Sequence, residues 1–82
     1  MNREYMKKRL SMSMPGEVIM YIDPNFGRAY LVVNRVMENV IIGNRATAST
    51  TSKQVSISID ELVNHHAKIP IGWKSERERN EV

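Results

Sequence analysis

The chain has 82 residues, a formal net charge of +3 and no cysteine. That length gives one domain with a core near the lower limit of self-sufficiency. Without cysteine, disulfides are excluded and the usual structural zinc sites disfavoured, so association is the expected reinforcement. No apolar run approaches the ~20 residues that span a bilayer. No apolar segment of about 7–15 residues with a small-residue cleavage site follows the basic N-terminus, so a soluble, cytoplasmic protein is expected.

The charge is concentrated at the start. Residues 1–14 carry Arg3, Lys7, Lys8 and Arg9 against Glu4, whereas residues 15–73 and 74–82 are each balanced. A local basic patch is the electrostatic mark of a polyanion partner, set against the plainer reading of a solubilising arm. Residues 1–9 therefore read as a basic arm or short helix, with Glu4 four residues before Lys8.

Two five-residue stretches, Leu10-Ser11-Met12-Ser13-Met14 and Val55-Ser56-Ile57-Ser58-Ile59, alternate apolar residues with serine. Strand geometry sends successive side chains to opposite faces, so both are expected as first and last strands that can pair. Pro15-Gly16 bends the chain between the first strand and the apolar run from Glu17 to Ile22, a buried strand. Asp23-Pro24-Asn25-Phe26-Gly27 is a turn. The strand from Arg28 to Val36 is apolar on both faces, with Ala29, Leu31 and Val33 opposite Tyr30, Val32 and Val36, and is expected to be central.

Glu38-Asn39 then makes a tight connection into Val40-Ile41-Ile42, and Gly43 marks a bulge or sharp bend. The segment Ala48 to Lys53 is a polar hairpin tip. Ser58 with Glu61 forms a capping-box pattern, with Asp60 as an alternative cap, for one short helix near residues 60–66 that Pro70 ends. Ile69, Ile71 and Trp73 form an apolar patch positioned to cover the domain or a neighbouring subunit, and residues 74–82 are a charged, frayed tail. The domain proper is expected over residues 10–73.

Catalytic chemistry finds no support. No serine stands in a G-x-S-x-G context, and the four isolated glycines make no phosphate-cradling loop. His65 and His66, being adjacent, point apart on a helix or a strand and cannot chelate a metal as a pair. A non-enzyme with no metal and no cofactor is expected.

The nucleic-acid reading rests on Lys7, Lys8 and Arg9 leading into the first serine-bearing strand. With that strand beside the last, Ser11, Ser13, Ser56 and Ser58 line one surface next to the basic arm. Hydroxyls and strand-edge backbone groups suit single-stranded RNA, whose splayed bases expose their hydrogen-bonding edges. Arg45, just beyond Gly43, adds a positive contact.

The order of pieces resembles the carbon storage regulator (CsrA/RsmA) family of bacterial translational regulators. It is carried by L-S-M-S-M-P-G-E-V-I-M at residues 10–20, by Val40-Ile41-Ile42-Gly43 followed by Ala46, and by Lys53-Gln54-Val55-Ser56-Ile57 running into Asp60-Glu61-Leu62. The likeness covers residues 10–66 with insertions at 23–28 and 48–52. Two departures stand out. Ile59 takes the place of the family's basic RNA contact, and Ser13 and Met14 replace basic residues at the end of the first strand. The resemblance implies an intertwined homodimer, the first strand of one subunit pairing with the last of the other, and a messenger-RNA leader bound along that edge.

The expected fold is thus mainly β, a small five-stranded barrel-like or intertwined dimeric domain with one short helix. Its expected function is post-transcriptional regulation by single-stranded RNA binding. A small SH3-like barrel serving as a protein-interaction module, capturing a partner segment at a strand edge, fits the same strand count.

Overall fold

The computed structural model describes residues 3–48 and 52–70. Its elements in order are α1 (Arg3–Ser11), β1 (Val18–Asp23), β2 (Gly27–Met37), β3 (Val40–Thr47), β4 (Lys53–Ser58) and α2 (Ile59–Asn64). The four strands form one antiparallel meander in the order β1-β2-β3-β4. The fold is mainly β, an open sheet with its short helices packed on the core.

The first difference from expectation is at residues 10–14, which are not a strand. Met6 and Leu10, four residues apart, fall on one helical face, and both are buried. Glu4 in the first turn and Lys8 and Arg9 in the last complement the helix dipole. The helix closes with Met12 N–H donating to the Arg9 carbonyl and Ser13 N–H to that of Leu10. The serine alternation is overridden because only Leu10 of its three apolar residues is buried, while Met12 is exposed. The two alternating stretches therefore do not pair within this chain, and the basic segment is part of the folded unit.

β1 and β2 meet at the turn expected over residues 23–27. The Asp23 carboxylate accepts from Asn25 N–H at 2.8 Å and Phe26 N–H at 3.2 Å, and Gly27 closes the turn at φ 78°. β2 is interior, between β1 and β3, but only one of its faces is buried. Ala29, Leu31 and Val33 point into the core, while Tyr30 and Val32 remain 38% and 39% exposed. The register slips between Val33 and Arg35, with Asn34 as the extra residue. Beyond that bulge Val36 pairs with the buried Ile41 and packs against the core, so it does not share a face with Tyr30 and Val32 as simple alternation suggests.

Gly43 sits across from the bulge. A Cβ there would collide with the Val32 carbonyl oxygen and lie 3.1 Å from Leu31 Cδ1. Glu38 and Asn39 form the tight β2–β3 connection, with Glu38 at φ 53°. The turn docks on α2, since Ile59 N–H donates to the Asn39 carbonyl at 2.8 Å.

The last strand alternates as expected, with Val55 and Ile57 inward and Ser56 exposed. It ends at Ser58, and Ile59 begins α2. Ser58 is the cap, its Oγ accepting from Glu61 N–H at 3.0 Å. Pro70 does not end the helix. His66 takes φ 63°, His66 N–H returns to the Val63 carbonyl and Ala67 N–H to that of Leu62, a left-handed terminus in which histidine stands where glycine is usual.

The chain then runs back along β1. Met20 N–H donates to the Lys68 carbonyl and Lys68 N–H to that of Met20, each at 2.8 Å, as an isolated bridge in place of a fifth strand. Leu10, Ile19, Leu31, Ile41, Ile59 and Leu62 fill the centre of the core. Ile69 packs against it. Ile71, Trp73, the charged tail and the tip at 49–51 lie outside the described residues.

Candidate nucleic-acid interface

Most of the residues expected to touch RNA have structural partners. Lys7 Nζ lies 2.9 Å from Asp60 Oδ1 and 4.0 Å from Glu4 Oε1. Asp60 also accepts from Asn39 Nδ2 at 3.1 Å, so one carboxylate ties α1, the β2–β3 turn and α2. The hydrogen bond from Lys7, then that from Asn39, lowers the Asp60 pKa below the ordinary carboxylate value.

Arg9 donates from Nη2 to Glu17 Oε1 at 2.6 Å. The Glu17 side chain is only 2% exposed, and its other oxygen accepts from Met14 N–H at 2.6 Å. Arg9 thus anchors α1 to the start of the sheet. Ser11 Oγ donates to the Lys8 carbonyl at 2.6 Å, and Ser13 Oγ is buried without a hydrogen-bond partner.

Arg45 belongs to the inner side of β3. Its Nη1 is 3.5 Å from Asp23 Oδ2, and its guanidinium carbon lies 5.1 Å from the centre of the Phe26 ring. Tyr21 Oη donates to the same Asp23 oxygen at 3.5 Å, and burial is the main cause that raises the Tyr21 pKa. Of the eight expected contacts, Lys8 and Ser56 keep exposed side chains without an internal partner. The helix and the serine-bearing last strand are not assembled as neighbouring strands.

The sheet itself offers a different surface. Its outer face, opposite the core, brings together Arg28, Tyr30, Val32 and Arg35 from β2 with Asn44 of β3 and Gln54 and Ser56 of β4. Register fixes the pattern: Tyr30 stands between Met20 and Ala46, Val32 pairs with Asn44, Asn44 with Gln54, and Ile42 lies between Arg35 and Ser56. Among the described residues no strand carboxylate points outward, because Asp23 is turned to the core side and buried. Two arginines, an aromatic ring and a row of amides and a hydroxyl therefore share one open face.

Taking β2 as buried on both sides conceals this surface. The signal available in the sequence is the spacing of Arg28, Tyr30 and Val32, which places a guanidinium and a phenol on the same side at period two. The switch of Arg35 onto that side depends on the bulge.

Ile59 N–H bonding to the Asn39 carbonyl also sets the phase of β4. Alternation along an antiparallel ladder makes Ile57, Val55 and Lys53 face β3, while the backbone N–H groups of Gln54, Ser56 and Ser58 face away from it.

The described residues contain no cluster of three side chains able to hold a metal ion, and no helix long and apolar enough to cross a membrane. No protein-family profile matches the chain, and neither a curated protein nor a solved structure is significantly similar to it.

Proposed function

We propose that this protein binds single-stranded RNA without catalysis, using the outer face of the sheet, and acts in the cytoplasm as a post-transcriptional regulator of messenger leaders. The carrying observation is that face: Tyr30 exposed beside Arg28, Arg35, Asn44, Gln54 and Ser56, with no carboxylate among them. An exposed ring supplies a stacking platform, arginines neutralise phosphates, and amides and hydroxyls read base edges. Lys7, Arg9, Ser11, Arg45 and Ser58 support the fold that presents this surface, and the Ser13 hydroxyl is buried.

The resemblance to the carbon storage regulators points to the same class of ligand by a different route. Residues 10–14 end a helix here, so the RNA track proposed is the open face and not a first strand paired with a last one.

A second reading, a five-stranded SH3-like interaction module, draws on two observations. The chain returns to β1 after one short helix at the Met20–Lys68 bridge, and Ile22, Tyr30, Val32 and Met37 put apolar groups on the outer face.

The deciding experiment is binding to a pool of random single-stranded RNA at two salt concentrations. The intact protein should bind in a salt-sensitive manner. Tyr30→Ala should weaken binding roughly 5- to 150-fold, the equivalent of about 1–3 kcal/mol of lost stacking. Arg28→Ala and Arg35→Ala should each reduce the salt slope by about 0.7. A protein that ignores RNA at low salt overturns the reading in favour of the interaction module.

A further inference from the structure

The two edges of the sheet are finished differently. The outer edge of β1 is covered by the returning chain: Met20 N–H bonds to Lys68, Ile22 N–H to the His65 carbonyl, and Lys68 N–H back to Met20, all at 2.8 Å. β4 has no such cover among the described residues. It presents the N–H groups of Gln54, Ser56 and Ser58 and the carbonyls of Gln54 and Ser56; the Ser58 carbonyl opens α2. β4 contains no proline and no bulge, and its single charge, Lys53, lies at the start. The devices that ordinarily keep a strand edge from pairing are missing from its middle.

We propose that this edge pairs with a second copy of the chain, β4 against β4, antiparallel about a two-fold axis at Ser56. A continuous sheet requires opposed side chains to lie on one face, and edge-facing groups to meet edge-facing groups. With the axis at Ser56 both conditions hold. Ser56 opposes Ser56 of the second copy, Gln54 opposes Ser58, and Val55 opposes Ile57. The apolar pair extends the inner layer, and the hydroxyls and amide join the two outer faces into one surface.

Charge selects this register over its neighbour. Lys53 comes opposite Ile59 of the second copy, next to Glu61 in the first turn of that copy's α2, where Asp60 is already paired with Lys7. Shifting the pairing to put Val55 on the axis sets Lys53 against Ile57 and loses that complementarity. An unrelated strand would share the backbone pattern but not the matched lysine and Glu61 at both ends. The pairing differs from strand exchange through residues 10–14, and it stands whether or not the outer face binds RNA.

The absence of cysteine makes the test clean. Opposed residues of a hydrogen-bonded antiparallel pair have Cα atoms about 5.5 Å apart, inside the roughly 4.4–6.8 Å that a disulfide spans. In full-length protein freed of nucleic acid, Ser56→Cys should cross-link to a dimer on oxidation, and Gln54→Cys alone should not. A mixture of Gln54→Cys and Ser58→Cys chains should yield the mixed dimer. Light scattering of the unmodified protein should give twice the 9.5 kDa chain mass. Ser56→Pro, which removes an edge-facing N–H and leaves the β3 ladder intact, should give the single-chain mass. A monomeric unmodified protein, self-linking of Val55→Cys in place of Ser56→Cys, or a dimer that survives Ser56→Pro would each overturn the proposal.

Discussion

Replacing Glu17 by glutamine keeps the shape of the side chain and removes its charge. In the native protein its two oxygens accept one bond each, from Arg9 Nη2 and from Met14 N–H, both at 2.6 Å. A glutamine offers one oxygen and turns an amide donor toward whichever partner is left. One charge-assisted bond, worth about 1.5–3 kcal/mol, is lost outright, and the survivor weakens by about 1 kcal/mol because its acceptor no longer carries a charge. Water does little to make good the loss, because the Glu17 side chain is 2% exposed and that of Arg9 21%.

The expected cost is about 2.5–4 kcal/mol, close to the effect of breaking a buried ion pair. Total stability for a chain of this size is roughly 4–12 kcal/mol. At about 4–8 °C per kcal/mol, the melting temperature should fall by roughly 10–32 °C. Urea unfolding of the native protein, Glu17→Gln, Arg9→Ala and the double variant gives the coupling directly. Arg9→Ala should cost about 2 kcal/mol or more and should change the salt slope of RNA binding less than Arg28→Ala does. If both single variants unfold within about 1 kcal/mol of the native protein and their effects add, the anchoring role of this pair is wrong.

Gly43→Ala should destabilise by about 1–3 kcal/mol in the same urea assay, because its new methyl meets a backbone oxygen that cannot swing aside. Asp60, with its pKa lowered by Lys7 and Asn39, contributes stability above the ordinary carboxylate range, and that contribution is lost as pH falls through the folded value. Asp60→Asn should therefore flatten the acid limb of a stability–pH curve below about pH 4, measured by chemical denaturation. Tyr21 behaves oppositely: its raised pKa means the unfolded chain loses the phenolic proton first, so stability drops as pH rises past about 10. Tyr21→Phe should lessen that alkaline drop, and a wild-type-like alkaline limb would show that burial of the phenol is not its cause.

Much of the sheet is legible in the residues. The turn at 23–27, the tight Glu38-Asn39 connection, the last strand and its Ser58 cap follow from local chemistry: an Asx turn, a two-residue hairpin, period-two alternation and a capping serine. Residues 10–14 are not legible in the same way. Period-two alternation over five residues competes with the Met6–Leu10 helical spacing, and the helix prevails because it buries both. The site is the harder part. Arg9 and Lys7 look like free cations until the fold brings Glu17 and Asp60 to them, from eight residues away and from the far end of the chain. No local pattern reveals such pairings. The face that does remain open depends on which side of β2 the helices cover, a tertiary fact.

The extra residue at Asn34 makes β2 two half-strands in opposite phase. Up to Val33 the odd-numbered positions are the interior ones, and from Arg35 onward the even-numbered position Val36 is. Side chains on either half can therefore be exchanged within their own parity, but a residue lost elsewhere along β2 would set part of the strand out of phase. Losing Asn34 itself would leave Val33, Arg35, Val36 and Met37 alternating in, out, in and out against Gly43, Ile42, Ile41 and Val40 in an unbroken ladder. A strand whose reading frame changes in its middle has one residue it can lose without turning any other side chain over.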